Sequence, residues 1–245
     1  MKKEKNAKKL FLSSVIYTLL SFLIVYSGTK IYKWQKENNH NNTVKEKLAE
    51  SVITEDGQKK YTIDFKSLKK QNADTFAWIK VNNTNIEYPI VKSKDNEFYL
   101  DHSFDKSSNM AGWIFADYRN KFDGTDKNIV VYGHNRKDRS MFGSLRNVLN
   151  SGWYNDEKNH DIIFITQNQN CIYKVFSVYQ IEKESYYIKT EFSSNSEFEK
   201  FLKTIKSRSI KNFETNVSKK DSILTLSTCA GNDNDRIVLH AKKVI

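Results

Sequence analysis

The feature that most constrains the fold of this chain is a series of short strand-like segments joined by polar turns. The segments are rich in β-branched and aromatic residues, which favour strands. They lie at residues 85–91, 112–116, 128–132, 161–166, 171–181, 222–227 and 236–244. Because strand-like segments outnumber helical ones, we expect a mainly β fold, a barrel or a sandwich, rather than a parallel βαβ sheet.

Two helices are predicted in addition to these strands. The first covers residues 64–72, with Asp64 as its N-cap. The second covers residues 194–207 and carries an apolar stripe, which is typical of a helix packed on a core. The stripe consists of Phe198, Phe201, Leu202 and Ile205.

An uncharged apolar segment at residues 10–26 follows a lysine-rich N-terminus. A membrane-spanning helix needs about 20 residues, a length that the segment approaches once Ser27 and Gly28 are included. The basic residues before it predict a cytoplasmic N-terminus and an outward-facing remainder. A cleaved signal peptide is the alternative, but residues 27–29 match an Ala-x-Ala site poorly. We therefore expect an uncleaved anchor.

The predicted organisation has four parts: a basic tail at residues 1–9, the anchor at 10–28, a polar and partly helical stalk at 29–60, and a folded domain at 61–245. One proline and 8 glycines argue against long disordered linkers. The net charge is +11, but the lysines are scattered and no nucleic-acid-binding motif is present. A solvated basic surface is therefore favoured over a nucleic-acid partner.

Cys229 closes the run Thr-Leu-Ser-Thr-Cys at the end of a strand-like segment, and Arg236 opens the next one. If these strands are neighbours, a thiol and a guanidinium could face one point. That arrangement suits acyl transfer, with a sulfur nucleophile and a fixed cation where an oxyanion develops. The other cysteine, Cys171, lies inside a predicted strand, where a buried thiol is the usual interpretation. A Cys171–Cys229 disulfide is also compatible with the sequence.

A thiol nucleophile usually needs a base, and His134 is the best-placed histidine. It follows the apolar run at residues 129–132 and Gly133, so it would leave a strand as Cys229 does. The remaining histidines are His40 in the stalk, His102 and His160 in polar loops, and His240 within the last strand. No cysteine, histidine or carboxylate cluster has metal-ligand spacing.

The Tyr-Gly-His-Asn segment around His134, the Thr-Leu-Ser-Thr-Cys run and Arg236 resemble the signature of the sortases, membrane-anchored cysteine transpeptidases of Gram-positive bacteria. The resemblance extends over residues 61–245. Class B is indicated by the segments at 85–91 and 94–100 and by the helix before the cysteine strand. The resemblance implies a closed β-barrel of about eight strands with N-terminal helices.

The resemblance also implies the roles of individual residues. Cys229 would be the nucleophile, His134 the acid and base, and Arg236 the group that stabilises the oxyanion. Less specifically, class B enzymes line their peptide groove at the positions of Asn96, Leu100, Tyr187, Ile188 and Ser227. The loop between Cys229 and Arg236 is shorter than in some class B members, which leaves the shape of the groove open.

The function implied is cleavage of a Pro-x-Thr-type sorting signal after Thr, followed by transfer to an amine of a peptidoglycan precursor. The partners would be surface proteins that bear such signals, and the enzyme would be a single-pass membrane protein with its catalytic domain outside the cell. No cofactor is expected, because cysteine, histidine and arginine suffice for this chemistry. Class A sortases can use calcium, but no acidic cluster here requires it.

Three alternatives are open at this point. A papain-like or cell-wall cysteine peptidase would place the cysteine before the histidine, the reverse of the order here. A membrane-tethered binding module without chemistry would use the positive charge to hold anionic wall polymers. A pilus-polymerising sortase often carries an Asp-Pro-aromatic lid, and the only proline here is Pro89. The exact sorting motif, the surface protein and the accepting amine do not follow from the sequence.

Overall fold

The computed structural model describes residues 2–54, 61–182, 184–229 and 235–244. The helices are α1 (Lys2–Ala49), α2 (Phe65–Gln71), α3 (Ser151–Tyr154) and α4 (Asn195–Ser207). The strands are β1 (Val52–Thr54), β2 (Tyr61–Ile63), β3 (Thr75–Val81), β4 (Glu87–Val91), β5 (Phe115–Ala116), β6 (Asn128–His134), β7 (Asp161–Thr166), β8 (Asn170–Glu182), β9 (Ile223–Cys229) and β10 (Asp235–Lys243).

The chain forms two compact units, the first ending at Asn42 and the second beginning at Thr43. The first unit is the larger part of α1, whose most apolar 18-residue window has a mean hydropathy of 2.0 and is not buried. Within the described residues, α1 is the one helix long and apolar enough to cross a membrane. Apolar side chains such as Leu10, Phe11 and Phe22 are exposed along it.

Eight strands of the second unit close into a barrel in the order β10-β8-β7-β3-β4-β5-β6-β9. Neighbouring strands are antiparallel, except that β4 pairs with β5 and β6 pairs with β9 in parallel. The predicted closed eight-stranded barrel is confirmed, and α4 lies between β8 and β9 as expected. Strand β3, which pairs with both β4 and β7, was not predicted from the sequence. Its residues Ala77, Trp78 and Ile79 are all buried, so the alternation expected of a half-buried strand is interrupted.

Both predicted helices begin with a side-chain cap. The Asp64 carboxylate accepts a hydrogen bond from the backbone N–H of Ser67 at 2.9 Å, and the Ser194 hydroxyl accepts one from that of Glu197 at 3.2 Å. Such caps satisfy N–H groups that have no partner inside the helix. The apolar stripe of α4 is buried in a cluster with Phe176 and Tyr187, so α4 supports the segment that follows β8.

The barrel core is large and aromatic, with Trp78, Trp113 and Phe104 among its buried members. Leu48, in the last turn of α1, is completely buried in the same core. The second compact unit therefore includes the end of α1, which lies inside the predicted stalk of residues 29–60. The roles of tail, anchor and stalk stay predictions.

Candidate active site

Three adjacent strands place the predicted catalytic residues at one end of the barrel. The parallel register of β6 and β9 pairs His134 with Cys229, each the last residue of its strand. On the other side of β9, the antiparallel register with β10 pairs Ser227 with Val238. Arg236 lies two residues before Val238 on β10, and Cys229 lies two residues after Ser227 on β9, so both stand at the same end of the barrel. The side chain of Cys229 lies outside the described part of the structure, so the backbone register alone places it.

His134 belongs to β6 itself, whereas the sequence predicted a strand that ends at Tyr132. The strand continues because Gly133 and His134 pair with Thr228 and Cys229 of β9. A Cβ atom at Gly133 would lie 2.7 Å from Cγ of Phe142, so glycine is needed for the Phe142 ring to pack there. The N–H of Phe142 also donates to the carbonyl oxygen of His134 at 3.1 Å. These contacts fix the end of β6.

The His134 imidazole is held by a backbone carbonyl. Its Nε2 lies 2.6 Å from the carbonyl oxygen of Leu100. Because a carbonyl can only accept, Nε2 carries the hydrogen, and Nδ1 is the nitrogen left for proton transfer. Burial lowers the pKa of His134; the Leu100 carbonyl opposes this shift, the Arg136 charge adds to it, and the Asp101 charge opposes it. The uncharged imidazole is therefore the main form at neutral pH.

A glycine turn sets the space for that ring. Gly112 has a φ of +60°, and a Cβ atom there would lie 2.6 Å from the Tyr99 carbonyl oxygen and 2.9 Å from Cδ2 of His134. Such distances are far inside van der Waals contact. The turn at Gly112 and the carbonyl of Leu100 thus hold the imidazole from two sides.

Arg236 is half-buried near the start of β10. Its Nη1 lies 3.5 Å from the carbonyl oxygen of Asp235, at the limit of a hydrogen bond. Among the described residues, no carboxylate forms an ion pair with Arg236.

A groove of about 890 Å³ opens at this end of the barrel. Its lining combines six aromatic and aliphatic residues with seven polar or charged ones, so it offers both packing surface and hydrogen-bonding groups. It is lined by Asn96, Glu97, Leu100, Phe115, Tyr132, Glu184, Ser185, Tyr186, Tyr187, Ile188, Ser227, Thr228 and Arg236. The five side chains predicted to contact peptide all lie in this lining, although their binding role stays a prediction.

Two walls and a floor can be distinguished in the groove. The first wall contains Asn96 and Leu100, the last residue of the 3-10 turn Phe98–Leu100; the second is the 3-10 turn Tyr186–Ile188. On the floor, the Ser227 hydroxyl lies 3.1 Å from the buried Tyr187 hydroxyl. Tyr132 and Phe115 also line the floor, and neither was predicted from the sequence as a groove residue. Tyr132 belongs to the same four-residue motif as His134 and precedes it by two residues. Because alternate residues of a strand share a face, this spacing could have indicated that Tyr132 lies near the site.

Cys171 lies away from this end of the barrel. On β8, Ile181 is the residue opposite Arg236, whereas Cys171 pairs with Phe164 of β7. Cys171 is a buried free thiol, with Sγ 3.7 Å from Oε1 of Gln169. Within the described ranges, no three Cys, His, Asp or Glu side chains converge as a metal site would require.

Together, the closed barrel and the histidine and cysteine at paired strand ends are the arrangement expected of a barrel enzyme with a cysteine nucleophile. A model of the sortase domain matches residues 79–244. The chain belongs to the sortase family, whose class B members are cysteine transpeptidases that sort proteins to the cell wall.

Two relatives are sortase B enzymes, and each match covers nearly the whole length of both chains. Sortase B of Listeria monocytogenes is 35% identical over 244 residues, covering 96% of this chain and 98% of the relative. Sortase B of Staphylococcus aureus is 33% identical over 234 residues, covering 94% and 95%. The solved structure of sortase B from B. anthracis superposes with a TM-score of 0.76 at 34% identity, covering 85% of this chain and 98% of that one.

Proposed function

We propose that this enzyme cleaves a Pro-x-Thr-type sorting signal after Thr and transfers the acyl fragment to an amine of a peptidoglycan precursor. The observation that carries the proposal is the parallel register that pairs His134 with Cys229, at the end of the barrel where Arg236 lines the groove. Family membership supports cell-wall sorting in general. The proposal adds the residues, the signal and the acceptor.

In the first half-reaction, Nδ1 of the uncharged His134 takes the proton of the Cys229 thiol, and the resulting thiolate attacks the carbonyl carbon of Thr. The tetrahedral intermediate carries an oxyanion, which the guanidinium of Arg236 stabilises by charge and by directed hydrogen bonds. The C–N bond then breaks, and His134 donates a proton from Nδ1 to the departing amine. The products are a thioester on Cys229 and a free C-terminal fragment.

In the second half-reaction, the acceptor amine attacks the thioester carbonyl. His134 takes the proton that the amine loses and the C–S bond breaks. The sulfur then takes this proton from Nδ1, which restores the Cys229 thiol and the uncharged imidazole. A new amide replaces the one that was cleaved, so no external energy source is needed. His134 acts as acid in one step and as base in the other, as microscopic reversibility requires.

The groove suits an extended peptide that contains proline. Aromatic surfaces pack well on the proline ring, and Tyr132, Tyr186 and Phe115 supply them. Ser227 and Asn96 add polar groups to this lining. The chemistry of the lining therefore agrees with a Pro-x-Thr signal, of which Asn-Pro-x-Thr is the form that class B resemblance favours.

The membrane arrangement follows from α1. With the lysine-rich N-terminus in the cytoplasm, the apolar part of α1 would cross the bilayer and the barrel would stand outside. Both a translocated surface protein and a wall precursor reach that location. The net charge of +11 is also favourable beside anionic wall polymers and lipids.

Product analysis tests the function. Full-length enzyme in detergent would be given an Asn-Pro-x-Thr peptide with and without triglycine, chosen because a similar sortase B structure is complexed with that tripeptide. We expect cleavage after Thr and, with triglycine, a ligated product. Hydrolysis that ignores the amine would indicate a peptidase instead. Binding without any cleavage of a Pro-x-Thr peptide library would indicate a binding module.

A further inference from the structure

A fully buried carboxylate lies beneath the groove. Asp117 directly follows β5 and is completely inaccessible to solvent. Its backbone N–H donates to the carbonyl oxygen of Val130 at 2.9 Å, which ties it to β6. Removing a carboxylate from water is costly unless it is paired and hydrogen-bonded. The partners of Asp117 therefore indicate what the charge stabilises.

Two of these partners line the groove. The Tyr132 hydroxyl donates to Oδ2 of Asp117 at 2.7 Å, and Nδ2 of Asn96 donates to the same oxygen at 3.0 Å. The Asn96 amide is oriented further because its Oδ1 accepts from the N–H of Tyr118 at 3.0 Å. Asp117 thus holds one side chain of the floor and one of the first wall.

The third partner reaches the second wall. Arg119 forms a two-pronged pair with Asp117, from Nε to Oδ1 at 2.8 Å and from Nη2 to Oδ2 at 2.6 Å. The same Nη2 donates to the carbonyl oxygen of Ile188 at 2.9 Å. Ile188 ends the 3-10 turn Tyr186–Ile188, so the guanidinium connects Asp117 to the second wall.

The charge on Asp117 persists in this buried position. Burial alone would raise its pKa, but the hydrogen bonds from Arg119 and Tyr132 outweigh burial and hold the pKa below the usual range. Charge-assisted, forked hydrogen bonds of this type are stronger and more directional than neutral ones. The network is thus suited to hold two chain segments at a fixed separation.

We propose that Asp117 is a positioning residue that sets the width of the peptide groove by joining both walls and the floor to one carboxylate. The inference rests on the proposed function for its effect on catalysis, and on structure alone for its effect on the walls. No hydrogen bond connects Asp117 to His134, Cys229 or Arg236 among the described contacts. Asp117 therefore acts on peptide binding and not on the reacting atoms.

The test compares Asp117→Asn and Arg119→Ala with Asp126→Asn in the full-length enzyme. Asp126 is a matched control because its carboxylate also accepts several hydrogen bonds, from Asn120, Lys121 and Phe122. It lines a separate pocket, together with Cys171. Four quantities are measured: Tm, KM and kcat for the sorting peptide, and hydrogen exchange of the amides of Leu100 and Ile188, one in each wall.

For Asp117→Asn we expect KM to rise about tenfold or more, as the loss of a charged hydrogen bond implies, with kcat within about threefold of wild type. Both wall amides should exchange faster. Arg119→Ala should speed exchange at Ile188 more than at Leu100, since Asn96 keeps its bond to Asp117. Asp126→Asn should leave KM and both amides unchanged even if its Tm falls.

Unchanged wall exchange in Asp117→Asn would overturn the inference, whether or not the enzyme turns over the peptide. So would a KM that stays at the wild-type value while Tm falls as in Asp126→Asn. A wild-type enzyme that neither cleaves nor transfers any sorting peptide would refute the proposed function instead, and the exchange data would still decide the role of Asp117.

Discussion

At the level of single residues, the two histidines in the barrel strands, His134 and His240, have very different surroundings. His134 stands at a strand end with one nitrogen bonded to a carbonyl and the other available. His240 is completely buried, with Nε2 2.9 Å from the Tyr179 hydroxyl and Nδ1 2.8 Å from the Thr225 hydroxyl. Burial lowers the pKa of His240 to about 3, so it stays uncharged in the core.

Substitution of these two histidines should therefore affect different properties: kcat for His134 and the free energy of unfolding for His240. His134→Ala should lower kcat by about 10²- to 10⁴-fold, the usual value of general acid–base help, with little change in Tm. His240→Ala should remove about 2–4 kcal/mol from the free energy of unfolding, because a buried ring and two hydrogen bonds are lost. Its turnover per folded molecule should be retained. Single-turnover assays and thermal unfolding of both variants would measure this, and equal kinetic losses would contradict the choice of His134.

Arg236 is proposed to act mainly in the transition state. Arg236→Lys keeps the charge but loses the planar fork, so we expect peptide binding to persist while kcat falls by about 10²- to 10³-fold, the usual value of one oxyanion donor. Arg236→Ala should be worse. Pre-steady-state acylation and peptide titration separate the two effects.

Arg139 is the suitable control for Arg236. It is exposed and donates to the Asn147 side chain, outside the groove lining, so Arg139→Ala should turn over normally. Arg208 is unsuitable as a control, because it forms an ion pair with Glu184 at 3.5 Å and lies 4.8 Å from the Tyr186 ring centroid, and both partners line the groove. Near-normal turnover of Arg236→Ala would show that the third member of the site is misassigned.

Among the structural elements, the turn before β5 should matter to catalysis without supplying a catalytic side chain. Gly112→Ala puts a methyl group against the Tyr99 and Leu100 carbonyl oxygens and the His134 ring, in a backbone conformation that favours glycine. We expect His134 to be displaced and kcat to fall at least tenfold, since small misplacements of reacting groups are costly. Labelling of Cys229 by iodoacetamide should still occur, which would show that the nucleophile is present.

Gly152 provides the matched control for this turn. A Cβ atom there meets no other atom within 4 Å. Gly152→Ala should accordingly keep both Tm and kcat. A Gly112→Ala enzyme with wild-type kcat would show that the turn does not position His134.

The strands were largely predictable because their apolar patterns are local. The exceptions have tertiary causes. β6 and β9 each run two residues beyond the predicted ends, since they pair with each other there. β3 was missed because its central residues are buried on both faces. The two capped helices were predictable from Asp64 and Ser194, whose side chains act on neighbours three residues away.

The site was predictable only in part. The residues that the resemblance assigned to the groove do line it, since a family motif encodes their positions. The hydrogen bonds from Asn96 to Asp117 and from Arg119 to Ile188 could not be predicted, because they join residues 21 and 69 positions apart in the sequence. No local pattern reports such contacts. The Gly112 turn against His134 is a further long-range contact of this kind.

At the scale of the whole molecule, the apolar helix and the barrel should be separable. The barrel unit begins at Thr43, and the first fully buried apolar residue of its core is Leu48. Deletion of residues 1–30 should therefore give a soluble protein with an unchanged kcat, whereas the full-length chain should fractionate with membranes at its intact mass. A mature form cleaved near Gly28 would show that the segment is a signal peptide.

The most direct test of the account is the identity of the covalent intermediate. Full-length enzyme is mixed with a sorting peptide without amine, quenched in acid and analysed by intact and peptide mass spectrometry. We predict an adduct on Cys229 that equals the peptide up to Thr. It should disappear when triglycine is added, as ligated product forms. Cys171→Ala should give the same adduct and Cys229→Ala none. An adduct on another residue, or transfer that survives Cys229→Ala, would contradict the account.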